Sequence, residues 1–219
     1  MKSRKYTILA LLFAAWLLLA GSAFADRVDE LLVMLHGRDR EAQLAAIEAL
    51  SRIRSTRSED ALFGFINRKG EDWRLKIQAI RLLGEIEDPY VADRLVTIFN
   101  DPFLNDTCPA LQWNTAQALG NKFNRGTRAV DSLIDALDSD NLLVREAVVQ
   151  SLGRIGDPKA VPHLIIALDD TRFSIRFSAV KALEQIGDRV AIPFLTKIAE
   201  GDADPYIKQE ALSALKNFR

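Results

Sequence analysis

The sequence predicts an all-α fold, a right-handed α-solenoid (an α-α superhelix) of about six two-helix repeats. Three observations predict it. Apolar residues recur with the 3.6-residue period of helices that bury one face. One block of residues returns along the chain at a spacing near 32. Glycine-aspartate pairs, twice in the form that stops one helix and starts the next, punctuate the blocks.

The first 25 residues stand apart. Lys2, Arg4 and Lys5 precede an uncharged run from Thr7 to Ala25 that ends Ala23-Phe24-Ala25. This is the three-part pattern of a secretory signal peptide, with cleavage expected after Ala25 and a periplasmic or secreted product. If retained instead, the run approaches the ~20 residues that span a bilayer and would tether the chain to a membrane. No cysteine follows it closely, which excludes a bacterial lipoprotein anchor.

The repeats fall at approximately 26–55, 56–87, 88–124, 125–156, 157–187 and 188–219. The clearest copies are Val144–Asp157 and Ile175–Asp188, which align without gaps 31 residues apart. Leu75–Ile86 and Leu111–Gly120 are further copies, and Ala42–Ile53 and Ile207–Phe218 are weaker ones. Their matching leucines are Leu50, Leu83, Leu119, Leu152, Leu183 and Leu215. Each block is the second helix of a pair. A first helix precedes it, as at Ala160–Leu168, where Val161, Leu164, Ile165 and Leu168 share a face. In Gly156-Asp157-Pro158 the glycine suits a left-handed helix end, the aspartate caps the next helix, and the proline fits its first turn. One such pair cannot bury its apolar face alone, so neighbours must stack. Arg38, Asp39, Arg40 and Glu41 at one end, and Lys208, Gln209, Glu210 and Lys216 at the other, are polar enough to cap the stack. A monomer is expected.

The third repeat is irregular. Phe99 to Leu111 is 12 residues, where Leu137 to Val144 and Leu168 to Ile175 are 7. The extra length predicts a loop over 100–108 that holds Phe103, Leu104 and Cys108, the sole cysteine. It reads either as a binding loop or as a neutral insertion with Phe103 tucked onto a helix and Cys108 an inert buried thiol.

The formal charge is −1. Without residues 1–25 it is −4, from 26 bases against 30 acids. That balance argues against a nucleic-acid partner, which would call for a basic stripe. One cysteine permits no intramolecular disulfide.

The blocks Leu152–Leu164 and Ile175-Arg176 with Ala179, Ala182 and Leu183 resemble HEAT repeats, most of all the short variety named after phycobilin lyases. The resemblance spans roughly residues 26–219 and is strongest from 142 to 200. It implies an α-solenoid whose second helices line a concave face. It also implies a charged ladder between repeats, built from Lys76, Arg145, Arg176 and Lys208 with the turn residues Asp88, Asp157 and Asp188.

On the second helices, residues four apart form stripes that the core does not need. The candidate partner-binding residues are Trp73, Ile77 and Arg81, then Trp113 and Gln117, Leu142 and Glu146, and Phe173, Phe177 and Lys181. Large apolar side chains edged by polar ones mark interaction surfaces. The competing reading shifts the face by one position and makes Trp73 and Phe173 helix-start residues packed on a neighbouring repeat.

Little in the chain invites chemistry. His36 and His163 lie in different repeats, and no nucleophile-elbow, phosphate-loop or dinucleotide motif is present. No catalytic, cofactor or metal site is expected. The reading is a non-catalytic interaction scaffold or adaptor, exported to the periplasm, that binds a peptide or protein segment on its concave face. The alternative is a small-ligand or tetrapyrrole-handling protein, phycobilin-lyase-like, that uses the same groove. The first predicts an open, elongated groove. The second predicts a deep apolar cavity with convergent polar groups.

Overall fold

A computed structural model describes residues 27–218. The segment read as an export signal, residues 1–25, lies outside the described residues. Those residues form thirteen α-helices and no strand, with a first unit ending at Arg68 and a second beginning at Lys69. Among them no helix is long and apolar enough to cross a membrane.

The first unit holds α1 (27–36), α2 (Arg40–Ile53) and α3 (Thr56–Asn67). Asp39 opens α2 by accepting from the Glu41 and Ala42 amides at 2.9 and 3.3 Å. Ser55 and Ser58 form a reciprocal capping box at the start of α3. Buried Gln43 donates to the Gly37 carbonyl at 3.1 Å, which serves the otherwise orphaned end of α1. The core of the unit is Leu31, Leu35, Ile47, Leu50, Leu62 and three phenylalanine or isoleucine neighbours on α3, Phe63, Phe65 and Ile66. Arg54 closes α2 at φ +50°, a left-handed conformation that a residue with a Cβ adopts at a cost.

The second unit runs through α4 (Trp73–Leu83), α5 (Pro89–Phe99), α6 (Pro102–Thr107) and α7 (Pro109–Leu119). It continues with α8 (Arg128–Asp135), α9 (Leu142–Ile155), α10 (Val161–Ala167), α11 (Phe173–Ile186), α12 (Ile192–Gly201) and α13 (Pro205–Asn217). Two layers result. Helices α4, α7, α9, α11 and α13 each pack on the next, while α5, α8, α10 and α12 pack on α7, α9, α11 and α13. The starts are set locally: Asp72, Asp88, Asn141 and Asp204 each accept from a backbone amide of the turn they open. At Gly156 and Gly187 the chain turns out of α9 and α11 at φ +75° and +72°, the left-handed exit predicted for both.

The leucine column is the core. Leu50, Leu83, Leu119, Leu152 and Leu183 are fully buried, and Leu215 in the last helix is half-buried. Each buried leucine contributes about 1.5–3 kcal/mol relative to exposure.

Two expectations need correction. The segment 100–108 is not a loop: Asp101 caps a short helix, α6, by accepting from the Leu104 amide at 3.1 Å, and Pro102 suits its first turn. Leu104 is buried and Phe103 exposed, with the Lys69 ammonium 4.7 Å from the Phe103 ring centre. Cys108 is half-buried rather than buried. The charged ladder is only partly a ladder. Asp157 accepts from the Gly126 amide at 2.7 Å, and Arg176 pairs with Asp202 at 3.0 Å, so both join adjacent repeats. Asp88 and Asp188 only cap their own helices, and Arg145 donates to the Ser139 carbonyl of its own repeat.

Candidate functional site

Helices α4, α7, α9 and α11 begin with Trp73, Pro109, Leu142 and Phe173. None of the ten candidate residues is buried. Trp73, Trp113 and Phe173 are 44, 39 and 44% exposed, and Arg81 is exposed as well. Ile77, Gln117, Leu142, Glu146, Phe177 and Lys181 are half-buried. Trp73 and Phe173 do stand at helix starts, but with their rings in reach of solvent.

Contacts along this surface are specific. The Phe173 and Phe177 rings stack, with centres 5.8 Å apart and planes 18° from parallel. Such a pair contributes about 0.5–1.5 kcal/mol beyond its buried area. The Arg74 guanidinium lies 4.6 Å from the Trp73 ring centre. Gln117 on α7 donates to Gln150 on α9 at 3.4 Å, and Gln150 donates to Glu146 at 3.3 Å. Lys181 donates to Glu210 on α13 at 2.7 Å and to Glu184 at 3.3 Å. The hydrogen bond to Glu210 holds the Lys181 ammonium above the ordinary lysine range; partial burial opposes this and Glu184 reinforces it.

The other ends of the same helices differ. Gly84, Gly120 and Gly153 follow the core leucines, and none has room for a methyl group. A Cβ on Gly84 would lie 2.6 Å from Ala118 Cβ, and one on Gly153 would lie 2.7 Å from Ala182 Cα. At Gly120 it would meet Arg154 Nη2 at 2.7 Å and Ser151 Oγ at 2.8 Å. The absent side chains let successive second helices touch there. Ser151 Oγ uses the proximity to donate to the Ala116 carbonyl at 2.8 Å. This small-residue column was visible as a recurring Leu-Gly pair, but its role as a contact was not.

Beside that column lies an open cavity of 1240 Å³. Of the ten candidates, only Arg81, Trp113 and Gln117 line it. Its other charged walls, the bases Lys122, Arg125 and Arg154 and the acid Glu85, were missed. Lys122 and Arg125 sit in the irregular stretch after α7, where no helical period points to them. Arg154 lies in the last turn of α9, four residues beyond Gln150, and extending that stripe by one step would have found it. Arg154 Nη2 donates to Gln117 Oε1 at 2.5 Å and to Ser151 Oγ at 2.8 Å. Much of the Arg154 side chain is exposed, yet crowding of its guanidinium lowers its pKa from the ordinary arginine value. Arginine stays charged regardless. Among the described residues no group of three or more histidine, cysteine or acidic side chains is placed to hold a metal ion.

The sequence matches the family model described as HEAT repeats over residues 28–103, 102–174 and 166–216. No protein of curated function matches. Among solved structures the chain is similar to an engineered protein at 20% identity and TM-score 0.59, covering 88% of this chain and 96% of the other. It is also similar to the complex of CpcE and CpcF of phycocyanin lyase from Nostoc sp., at 20% identity and TM-score 0.54, covering 87% of this chain and 76% of the other. A designed armadillo repeat protein in complex with the peptide (KR)4 aligns at 16% identity and TM-score 0.58, covering 88% and 99%. At these identities the likenesses establish the α-solenoid fold.

Proposed function

We propose that this chain, which belongs to the HEAT-repeat family, is a non-catalytic scaffold that holds a peptide or protein segment on the face carried by its second helices. The observation that carries the reading is the row of accessible large apolar side chains on four successive helices, Trp73, Trp113, Leu142 and Phe173 with Phe177. A repeat array that needed only stability would place polar residues there. That a solenoid of the same fold is known in complex with a peptide supports the reading. The deduced setting is the periplasm, reached through the export signal at residues 1–25. A monomer fits the polar end repeats.

Capture from envelope extract tests it. The chain from Asp26 onward is compared with a Trp73→Ala, Trp113→Ala, Phe177→Ala variant. The expected result is a protein that cross-links to the parent and not to the folded variant. Equal capture by both refutes the face assignment. For localisation, N-terminal sequencing of the periplasmic fraction is expected to start at Asp26; an intact Met1 in the membrane fraction would make the chain a tethered adaptor.

A second reading, handling of a small ligand such as a tetrapyrrole, has one observation behind it: the cavity beside Trp113. Its lining weighs against that reading. Charged and amide side chains outnumber apolar ones, where a pigment site would be mostly apolar. Absorbance titration with a bilin distinguishes the two.

A further inference from the structure

We propose that the cavity at the C-terminal ends of α4, α7 and α9 selects an acidic peptide, an extended segment whose carboxylates meet Arg81, Lys122, Arg125 and Arg154. This deepens the scaffold reading and rests on it. Four bases face the cavity against one acid, Glu85, in a chain whose overall balance is acidic. None of the four makes an ion pair among the described residues. Elsewhere in the same unit several bases are matched, Arg128 with Asp93, Lys159 with Asp131, Arg176 with Asp202 and Lys181 with Glu210, while others such as Arg189 and Lys208 are not matched among the described residues. Arg81 and Arg154 occupy last helical turns, where a cation also offsets exposed carbonyls. Lys122 and Arg125 come after α7 has ended and lack that structural reason.

The neutral lining suits a main chain. Asn114, Asn121 and Gln185 reach the cavity, and an amide side chain both donates and accepts, which is what an extended peptide backbone requires. Trp113 supplies an apolar wall at the point where the aromatic stripe meets the basic patch. Nucleic acid is disfavoured. The bases form one patch around a single cavity rather than a track along the array.

The test uses three fluorescein-labelled peptides about ten residues long, identical except at four positions that are all Glu, all Gln or all Lys. Anisotropy titrations on the purified protein are expected to rank them Glu, then Gln, then Lys. The step from Glu to Gln should be about tenfold at low salt and shrink as salt rises. The Arg81→Gln, Lys122→Gln, Arg125→Gln variant alters only exposed side chains. With Arg154 retained, it is expected to narrow the step between the Glu and Gln peptides to about twofold, with Gln affinity unchanged. Should that variant not fold, Arg125→Glu alone is expected to narrow the same step. Equal binding of the Glu and Gln peptides to the parent overturns the acidic preference while leaving the scaffold reading intact. Loss of all peptide binding, with no effect of the Trp73, Trp113 and Phe177 substitutions, overturns both. A single-stranded oligonucleotide that outcompetes the Glu peptide, and loses affinity in the same variant, replaces the proposal with a nucleic-acid site.

Discussion

The two ends of α4, α7, α9 and α11 use opposite solutions to the same packing problem. At the entrances stand Trp73, Pro109, Leu142 and Phe173, large or rigid residues with accessible surface. Near the exits of the first three stand Gly84, Gly120 and Gly153, each with a neighbouring helix inside the space its side chain would fill. The contrast teaches a division of labour along a single helix. The exits hold adjacent repeats together and tolerate no added volume. The entrances leave large side chains accessible, the surface that the proposed function assigns to a partner. On that reading stability and binding should be separable by position, which is testable.

The largest effect should come from filling the exits. Gly153→Leu and Gly84→Leu must push apart helices in contact through backbone and Cβ atoms, and each should cost about 3 kcal/mol. Urea denaturation measures it, and a cost below that of an entrance substitution would break the comparison. Gly153→Ala should cost less, about 1–2 kcal/mol, because the better helix propensity of alanine offsets part of the clash. Gly120→Ala should be milder again, since it meets the mobile end of Arg154 along with Ser151 Oγ.

At the entrances, Trp73→Ala should lower stability by about 1 kcal/mol or less while weakening partner capture. Phe173→Ala loses the ring stack with Phe177 and should cost about 1 kcal/mol. The exit of α2 offers a change of opposite sign. Arg54 holds the left-handed conformation that Gly156 and Gly187 hold elsewhere, so Arg54→Gly should stabilise the protein by up to about 1 kcal/mol. A thermal melt reads this directly.

The smallest effect is electrostatic. The raised Lys181 pKa gives stability that is fully present below the unfolded lysine value of about 10.4 and is lost as pH rises through the higher folded value. Lys181 is partly exposed and screened, so Lys181→Met should cost about 0.5 kcal/mol or less at neutral pH. The difference from the parent should vanish in alkaline solution. Its persistence there would show that the aliphatic stem, not the charge, matters.

The repeat was legible because burial imposes a period: the leucine column and the exits at Gly156 and Gly187 follow from one buried face and from backbone sterics. The short helix α6 was not, since six residues give no periodicity, although the Asp101-Pro102 pair was a readable start signal. Accessible stripe positions could be placed by counting fours from the core. Lys122 and Arg125 could not, because they reach the cavity through an irregular segment whose path depends on tertiary packing. Arg154 shows a further limit. Its neighbours Gln117 and Ser151 come from a different repeat and from its own helix, and only the close approach at Gly120 brings the three together.

That arrangement has an entropic consequence. A free arginine surrenders about 2 kcal/mol of rotamer freedom when a ligand fixes it. Arg154 is already tethered by two neutral acceptors, neither of which cancels its charge. Much of its ordering has thus taken place during folding, and the carboxylate of the proposed acidic peptide would meet a positioned cation rather than a mobile one. Loosening it with Gln117→Ala, which removes one tether and leaves Ser151, would keep the charge in place and should make recruitment of an acidic peptide less favourable in entropy, a change that calorimetry reads apart from affinity.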